Sequence, residues 1–121
     1  MSEPEHQETM LSRQTVFEGR VIHVTLDEVR LENGKTAMRE IVRHHGGACV
    51  AALTEDDQLS FVRQFRYACE KELLELPAGK LEAGENPFLA AKRELEEEMG
   101  VTADSYVALG EFYPTCGYCN E

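Results

Sequence analysis

The sequence predicts an α+β fold in which a mixed β-sheet carries one well-bounded helix and follows an antiparallel strand module. Two observations lead to this class. Several short runs before residue 66 alternate apolar and polar side chains, a period typical of half-buried strands, and a longer run after residue 86 has helical apolar spacing. One globular domain is expected, because the 121 residues are 42% hydrophobic and 29% charged.

The N-terminal module is predicted from alternation and from a turn. Apolar residues alternate in places between residues 15 and 30, and residues 35–43 resume a strand pattern. Between them lies Asn33-Gly34, a pair favoured in hairpin turns because both residues tolerate a positive φ. An antiparallel hairpin is therefore expected here.

Composition divides the chain into three parts. Residues 1–10 are polar and are assigned to a disordered tail, residues 11–45 to the N-terminal strand module, and residues 46–121 to the core. Gly46-Gly47 is the expected boundary, since adjacent glycines interrupt regular structure.

Short strands are expected around the helix of the core. Residues 48–53 and 59–65 are apolar runs separated by an acidic turn, and residues 106–113 form a further predicted strand.

The helix is predicted over residues 87–99 from signals at both ends. Asn86 suits the N-cap, Pro87 suits the first helical position, and Gly100 suits the position just past the end. One side of this helix is expected to pack. Its predicted apolar stripe consists of Phe88, Ala91, Leu95 and Met99.

A different side of the same helix gathers negative charge. Glu94, Glu97 and Glu98 fall within an arc of roughly 100° at 3.6 residues per turn. Carboxylates this close repel one another unless a cation lies among them, and oxygen ligands suit Mg²⁺, with Mn²⁺ as an alternative. The competing interpretation is a solvated acidic face, which accounts well for Glu96.

The residues around the acidic face follow a fixed pattern. From Gly79, the chain reads glycine, five residues, glutamate, seven residues, Arg-Glu, an aliphatic residue, one residue, Glu-Glu, one residue, glycine and Val101. A solvated acidic face does not predict these flanking positions. The pattern resembles the Nudix box, and the chain resembles Nudix hydrolases.

Within that family the resemblance is closer to ADP-ribose pyrophosphatases and related nucleoside diphosphate sugar hydrolases. It implies an α/β/α sandwich, a homodimer that exchanges N-terminal strands, and Mg²⁺-dependent attack of water on a pyrophosphate, giving AMP and ribose 5-phosphate from ADP-ribose. The runs that carry it are Arg39-Glu40-Ile41-Val42, Gln64-Phe65-Arg66, Glu75-Leu76-Pro77-Ala78-Gly79 and Phe112-Tyr113-Pro114-Thr115 followed by Gly117.

The resemblance also implies roles for particular residues. The carbonyl of Ala78 and the carboxylates of Glu94 and Glu98 are the implied metal ligands. Glu97 is a shared ligand or a group that orients water, and Glu94 is the alternative catalytic base.

Two arginines are candidates for substrate binding. Arg66 ends a predicted strand shortly before the box, and a guanidinium matches two phosphate oxygens. Its alternative is a surface salt bridge. Arg39 reaches a neighbouring subunit's substrate if the strands exchange, and is otherwise an exposed strand residue.

Four further box residues are assigned to architecture. Arg93 and Glu85 stand where the family uses an ion pair to hold the loop against the helix. Gly79 and Gly100 are the fixed glycines that begin and end the unit.

Charge and hydropathy exclude several partners. The formal net charge is −11, which disfavours binding to nucleic acid or an anionic membrane. There is no run of about 18 apolar residues, and the acidic N-terminus lacks the pattern of a secretory signal. A cytoplasmic protein acting on a small nucleotide sugar is expected.

Four cysteines are expected to be reduced in that compartment. Cys116 and Cys119 have the CxxC spacing of a thiol redox pair or half of a zinc site, which makes a redox or zinc protein a third functional hypothesis. A zinc site needs two more ligands at matching spacing. The adjacent His44 and His45 point to opposite faces if extended and are not expected to share a metal.

Two departures from the family pattern also generate expectations. Thr115, Cys116 and Gly117 stand where the subfamily has Ser or Thr, then Pro, then Gly. The family continues beyond the position of Glu121 with closing strands, a final helix and often a loop glutamate, so a truncated chain is expected. A non-catalytic module that binds metal and nucleotide is accordingly the second functional hypothesis.

Overall fold

The computed structural model describes residues 6–121 of the chain. In chain order, the elements are β1 (Thr9–Glu18), β2 (His23–Arg30), β3 (Thr36–Arg43), β4 (Gly47–Cys49), β5 (Val62–Arg66), a 3₁₀ helix (Tyr67–Cys69), β6 (Lys71–Glu75), β7 (Ala78–Lys80) and α1 (Pro87–Met99). Residues 1–5 of the predicted disordered tail lie outside the described residues. The strand β1 already begins at Thr9, because Thr9 pairs with Arg30 of β2.

The residues group into two compact units. One contains the described residues up to His45 together with Phe112–Glu121, and the other is Gly46–Glu111. Residues 112–121, which the sequence analysis placed in the core, group with the N-terminal strands because the Val42 N–H donates to the Tyr118 carbonyl at 2.7 Å.

The first unit contains an antiparallel sheet in the order β1-β2-β3. The predicted hairpin is confirmed, although its turn is longer than two residues. The Leu31 N–H donates to the Lys35 carbonyl at 2.8 Å, and Gly34 has a φ of +84°. Glycine is favoured at this left-handed position because it has no Cβ.

The predicted strand is present at the centre of this sheet, but its buried face is not the apolar one expected, because Val24 and Leu26 are only half-buried. Thr25, Asp27 and Val29 are buried on one face of β2. The whole of β1, by contrast, is exposed and occupies one edge of the sheet.

The second unit contains two short antiparallel pairs, β4 with β7 and β5 with β6. The strand predicted over residues 48–53 is reduced to β4, because its ladder with β7 ends where Cys49 pairs with Ala78. The strand predicted over residues 59–65 corresponds to β5. Neither β6 nor β7 was predicted as a strand.

The prediction of a strand over residues 106–113 is wrong. These residues form no ladder with any strand in the described part of the chain, and Val107 and Leu109 are 80% and 88% exposed. Alternating apolar residues make a strand only when another strand satisfies their backbone groups.

The predicted bounds of α1 are confirmed. The Asn86 side-chain oxygen accepts hydrogen bonds from the Phe88 and Leu89 N–H groups at 2.9 and 3.3 Å. At the other end, Gly100 has a φ of +67°, and its N–H donates to the Glu96 carbonyl. Both ends therefore satisfy backbone groups that a helix terminus leaves unpaired.

The packed side of α1 differs from the predicted stripe. Leu95 and Ala90 are buried, Ala91 and Met99 are half-buried, and Phe88 is exposed. Because α1 packs against β4 and β7, Ala90 replaces Phe88 on the inner side. The Phe88 ring instead makes an edge-to-face contact with Tyr106, with 5.3 Å between centroids.

Candidate active site

The candidate site forms where α1 crosses β7. The carboxylate of Glu94 lies against the backbone of Gly79, so closely that a Cβ added at Gly79 would overlap the carboxylate and lie 2.7 Å from the Glu94 Cγ. Any larger residue at position 79 would displace Glu94. The fixed glycine of the box is therefore explained by close approach, since its φ is not in the left-handed region.

Glu98 meets the same strand one helical turn later. Its Oε2 accepts a hydrogen bond from the Ala78 N–H at 3.3 Å. Glu94 and Glu98 thus both face the Ala78-Gly79 backbone, while the side chain of Glu97 is 61% exposed. Of the three predicted acidic ligands, the structure brings Glu94 and Glu98 together, and it leaves Glu97 facing solvent.

Arg93 connects the loop to the acidic face. Its Nη1 donates to Glu85 Oε2 at 2.5 Å, its Nη2 lies 3.4 Å from Glu94 Oε1, and its Nε lies 3.8 Å from Glu97 Oε1. The expected Arg93–Glu85 ion pair is present. Hydrogen bonds from Arg93 lower the pKa of Glu85, and those to Glu85 raise the pKa of Arg93.

The donor set fits a hard divalent ion with few protein ligands. Mg²⁺ typically takes one or two carboxylates and completes its octahedron with water and phosphate oxygens. Glu94 and Glu98, which face the Ala78-Gly79 backbone, supply oxygen donors of that kind. Nowhere in residues 6–121 do three or more His, Cys, Asp or Glu side chains form a metal-holding group, so the site is not an all-protein cage.

Arg66 ends β5 and is held by a neighbouring strand. Its Nε and Nη2 donate to the two carboxylate oxygens of Glu75 on β6, at 2.6 and 2.5 Å. The hydrogen bonds to Glu75 are the main cause that raises the pKa of Arg66, and the negative charges of Glu75 and then Glu98 add to it. The salt bridge considered as the alternative for Arg66 therefore exists, with Glu75 as its partner.

Arg39 lies on β3, in the other unit. Its Nε donates to Glu8 Oε1 at 2.8 Å, and its Nη1 donates to the Met38 carbonyl. It lines a cavity of about 470 Å³ that is also bounded by Val42 and Tyr118.

Sequence reasoning missed two residues of electrostatic importance. Glu75 was named only as the first residue of a run that carries the family resemblance, and its pairing with Arg66 depends on the β5–β6 register. Asp27 is buried, and its carboxylate accepts from Arg13 Nη2 at 2.9 Å and from Arg43 Nη2 at 3.4 Å. An acidic residue in the middle of a strand pattern was the available signal for Asp27.

The family is established by two domain models that together cover most of the chain. Residues 43–119 match the NUDIX domain, so the chain belongs to the Nudix family. Residues 8–42, which include β1 and β2, match the nucleoside diphosphate sugar hydrolase N-terminal domain, which defines a narrower group.

Curated relatives agree with both matches. The chain is 42% identical to an ADP-ribose pyrophosphatase of Bacillus subtilis, over 95% of this chain and 62% of the relative. It is 42% identical to the methanol dehydrogenase activator of Bacillus methanolicus over the same shares. It is 35% identical to an ADP-ribose pyrophosphatase of Mycobacterium tuberculosis, over 97% of this chain and 57% of the relative. The chain thus spans about 60% of the length of these relatives.

A solved structure supports the α+β fold class. A crystal structure of an ADP compounds hydrolase superposes with a TM-score of 0.81 at 24% identity, over 98% of this chain and 64% of that one. This likeness concerns the fold alone. Across residues 6–121, no helix has the length and apolar character needed to cross a membrane.

Proposed function

We propose that the protein is a Mg²⁺-dependent Nudix pyrophosphatase that hydrolyses ADP-ribose, to AMP and ribose 5-phosphate, or a related nucleoside diphosphate sugar. The observation that carries the proposal is the convergence of Glu94 and Glu98 on the Ala78-Gly79 backbone, locked by the Arg93–Glu85 pair. Relatives named ADP-ribose pyrophosphatase support the choice of substrate class.

Metal binding is assigned to oxygen donors at this crossing. The Ala78 carbonyl and the carboxylates of Glu94 and Glu98 would hold Mg²⁺ or Mn²⁺, with Glu97 either as a shared ligand or as the group that orients water. When bound, the ion neutralises pyrophosphate charge and makes a coordinated water more acidic. Arg93 limits the freedom of Glu94 and Glu97, so less ordering is needed when the site fills.

Glu97 is the preferred group for orienting water and accepting its proton. Its carboxylate is largely exposed, whereas the Glu94 side chain is only 14% exposed and is confined between Gly79 and Arg93. An exposed carboxylate within one helical turn of the ligands is accessible to a water molecule. Glu94 is the alternative base.

Arg66 is assigned to a phosphate of the substrate. Glu75 already orients its guanidinium through two hydrogen bonds, which leaves the Nη1 nitrogen without a bond to Glu75. A guanidinium fixed by one carboxylate loses little side-chain entropy on meeting a phosphate. Arg39 is assigned to the substrate in a homodimer in which N-terminal strands are exchanged.

The exposed edge strand β1 supports a homodimer. Its ten residues are all exposed and include Met10, Val16 and Phe17, and an uncovered apolar edge strand invites pairing with another chain. A cytoplasmic location also belongs to the proposal.

The test is a hydrolysis assay with matched glutamate variants. With Mg²⁺, ADP-ribose should yield AMP, and EDTA should abolish the reaction. Glu98→Gln should lower kcat/KM by at least about 10-fold because it removes a charged ligand, whereas Glu96→Gln, at an exposed position outside the cluster, should retain activity. Full activity in Glu98→Gln would refute the assigned role.

A second candidate is a module that binds metal and nucleotide without turnover. It is favoured by the position of Glu97, whose side chain is 61% exposed, while Glu94 and Glu98 face the Ala78-Gly79 backbone. Calorimetry with Mn²⁺ and ADP-ribose distinguishes the two candidates, because tight binding without AMP release selects the binding module. A substrate panel of ADP-ribose, UDP-glucose and GDP-mannose then identifies the preferred nucleotide sugar.

A further inference from the structure

The pair Cys116 and Cys119 is not used by the proposed hydrolysis, and the structure places it in a single helical turn. The Thr115 carbonyl accepts hydrogen bonds from the N–H groups of Tyr118 and Cys119, at 3.3 and 3.0 Å. In such a turn, residues three apart have Cβ atoms about 5–6 Å from each other. A disulfide needs a Cβ separation of about 3.5–4.5 Å, so a small tightening of the turn brings the sulfurs into bonding range.

The two thiols differ in accessibility. Cys116 is exposed, whereas Cys119 is half-buried where it forms a parallel bridge with Val42 of β3. On either side of Cys119, Tyr118 accepts from the Val42 N–H at 2.7 Å, and the Asn120 N–H donates to the Val42 carbonyl at 3.2 Å. One thiol is therefore open to a reagent from solution, and the other is held against a strand.

We propose that Cys116 and Cys119 form a dithiol modification site that a small disulfide, such as oxidised glutathione, converts to an intramolecular disulfide. The Cys116 thiolate attacks one sulfur of the oxidant and releases one thiolate, which leaves a mixed disulfide on Cys116. The Cys119 thiolate then attacks the Cys116 sulfur and releases the second thiolate. Two protein thiols lose two electrons and two protons, and the oxidant becomes two thiols.

The disulfide would fix a turn that bounds a cavity. Gly117 and Tyr118, the two residues between the cysteines, line the cavity of about 470 Å³ together with Arg39 and Val42 of β3. Cross-linking residues 116 and 119 reduces the freedom of this turn when it is undocked. Oxidation is therefore expected to hold Gly117 and Tyr118 against β3 and to keep the wall of the cavity in place.

The chain contains its own comparison thiols. Cys49 lies on β4 and Cys69 in the 3₁₀ helix, and both are free and exposed. Neither has a second cysteine three residues away. They are expected to accept glutathione without forming a disulfide within their own segment.

Mass spectrometry of the chain treated with oxidised glutathione tests the site. Peptide mapping should find a Cys116–Cys119 disulfide, with the loss of two hydrogen masses and no glutathione on this segment. Cys119→Ser should instead retain one glutathione on Cys116, because the second attack has no thiol. If Cys119→Ser fails to fold, Cys119→Ala serves the same purpose with a smaller change of polarity.

Two results would overturn the assignment. One is a wild-type chain that keeps glutathione on Cys116 as the Cys119 variant does. The other is oxidation that joins Cys116 or Cys119 to Cys49 or Cys69.

Hydrogen exchange tests separately whether the disulfide holds the turn of residues 116–119 against β3. Oxidation should slow exchange of the Val42 and Asn120 amides by about tenfold, because the cross-link removes chain entropy from the open turn. The double variant Cys116→Ser/Cys119→Ser should show no change under the same oxidant. A disulfide that forms while exchange at Val42 is unaltered would refute the proposed effect on the turn. Neither readout depends on hydrolysis.

Discussion

The crossing of α1 over β7 and the N-terminal sheet are stabilised by different kinds of contact. At the crossing, Leu95 and Ala90 are buried and most of the acidic side chains remain outside. In the sheet, the buried face of β2 includes the carboxylate of Asp27, while Phe17 on the edge strand is 56% exposed. The first region is anchored by apolar contact, and the second by paired charge and backbone ladders.

The difference follows from what each element can bury. A helix with one apolar side hides that side and keeps charges at the surface. The central strand of a three-stranded sheet is flanked on both sides, so a carboxylate there must be paired. Arg13 on β1 and Arg43 on β3 supply the partners of Asp27. Apolar anchoring should therefore be sensitive to side-chain volume, and charge anchoring to pH.

The largest expected effect is at the apolar anchor. Leu95→Ala should destabilise the unit of α1 by about 2–5 kcal/mol, because it removes a fully buried side chain and leaves a cavity. Urea unfolding followed by circular dichroism measures this loss. Leu89→Ala on the same helix is the control, since Leu89 is 60% exposed and should change stability by less than about 0.5 kcal/mol. Equal losses in the two variants would contradict apolar anchoring.

A smaller effect is expected from crowding at the crossing. Gly79→Ala should cost about 1–3 kcal/mol, because the new methyl group overlaps the Glu94 carboxylate. In a Glu94→Ala background the same substitution should cost much less. Thermal melting of the two single variants and the double variant measures the coupling. Additive effects would show that Glu94 does not occupy the space above Gly79.

The N-terminal cap of α1 should contribute less again. Asn86→Ala should destabilise the helix by about 1 kcal/mol, since it removes the acceptor for the Phe88 and Leu89 N–H groups. Asn86→Asp retains the oxygen and should remain near wild-type stability. Helical content during urea unfolding distinguishes the two variants, and an unchanged Asn86→Ala would show that the cap is dispensable.

The smallest expected effect is a pH dependence at the charge anchor. Hydrogen bonds from Arg13 lower the pKa of Asp27 below its ordinary value. A carboxyl whose pKa is lower in the folded state stabilises the fold above its unfolded pKa of about 4, and this contribution disappears as pH falls through the folded pKa. The protection factors of the β2 amides, which compare exchange with the intrinsic rate at the same pH, should therefore fall in acid.

The matching variants isolate that contribution. Asp27→Asn should flatten the pH dependence of the β2 protection factors, whereas Asp56→Asn in the exposed turn should leave it unaltered. Paired carboxylates elsewhere, including Glu75 and Glu85, also have lowered pKa values and should retain the acid sensitivity of the other unit. An unchanged slope in Asp27→Asn would remove Asp27 as the pH-sensitive anchor.

Much of the candidate site was predictable because its signals are local. Asn86, Pro87 and Gly100 act within a few residues of the helix ends they define. The Arg93–Glu85 contact spans only eight residues and joins the loop to the helix that follows. Turns, caps and short-range ion pairs depend on neighbours in the chain, so the sequence contains nearly all of the information about them.

The failures share a different cause. Residues 106–113 have a suitable pattern for a strand but no described strand to pair with. On α1, Ala90 and not Phe88 lies on the packed side. The partner of Arg66 depends on the register of two strands. These outcomes depend on contacts between residues that are distant in sequence, and hydrophobic periodicity does not specify such contacts.

By itself, the sequence determined the limits of α1, the hairpin at Asn33-Gly34 and the clustering of acidic residues on one helical arc, because each arises from fixed local geometry. Only the tertiary structure decided that Glu94 rests on Gly79, that Glu75 holds Arg66, and that Asp27 is enclosed by two arginines. Those contacts need separate elements to meet, and their energies depend on the burial and register established when they do.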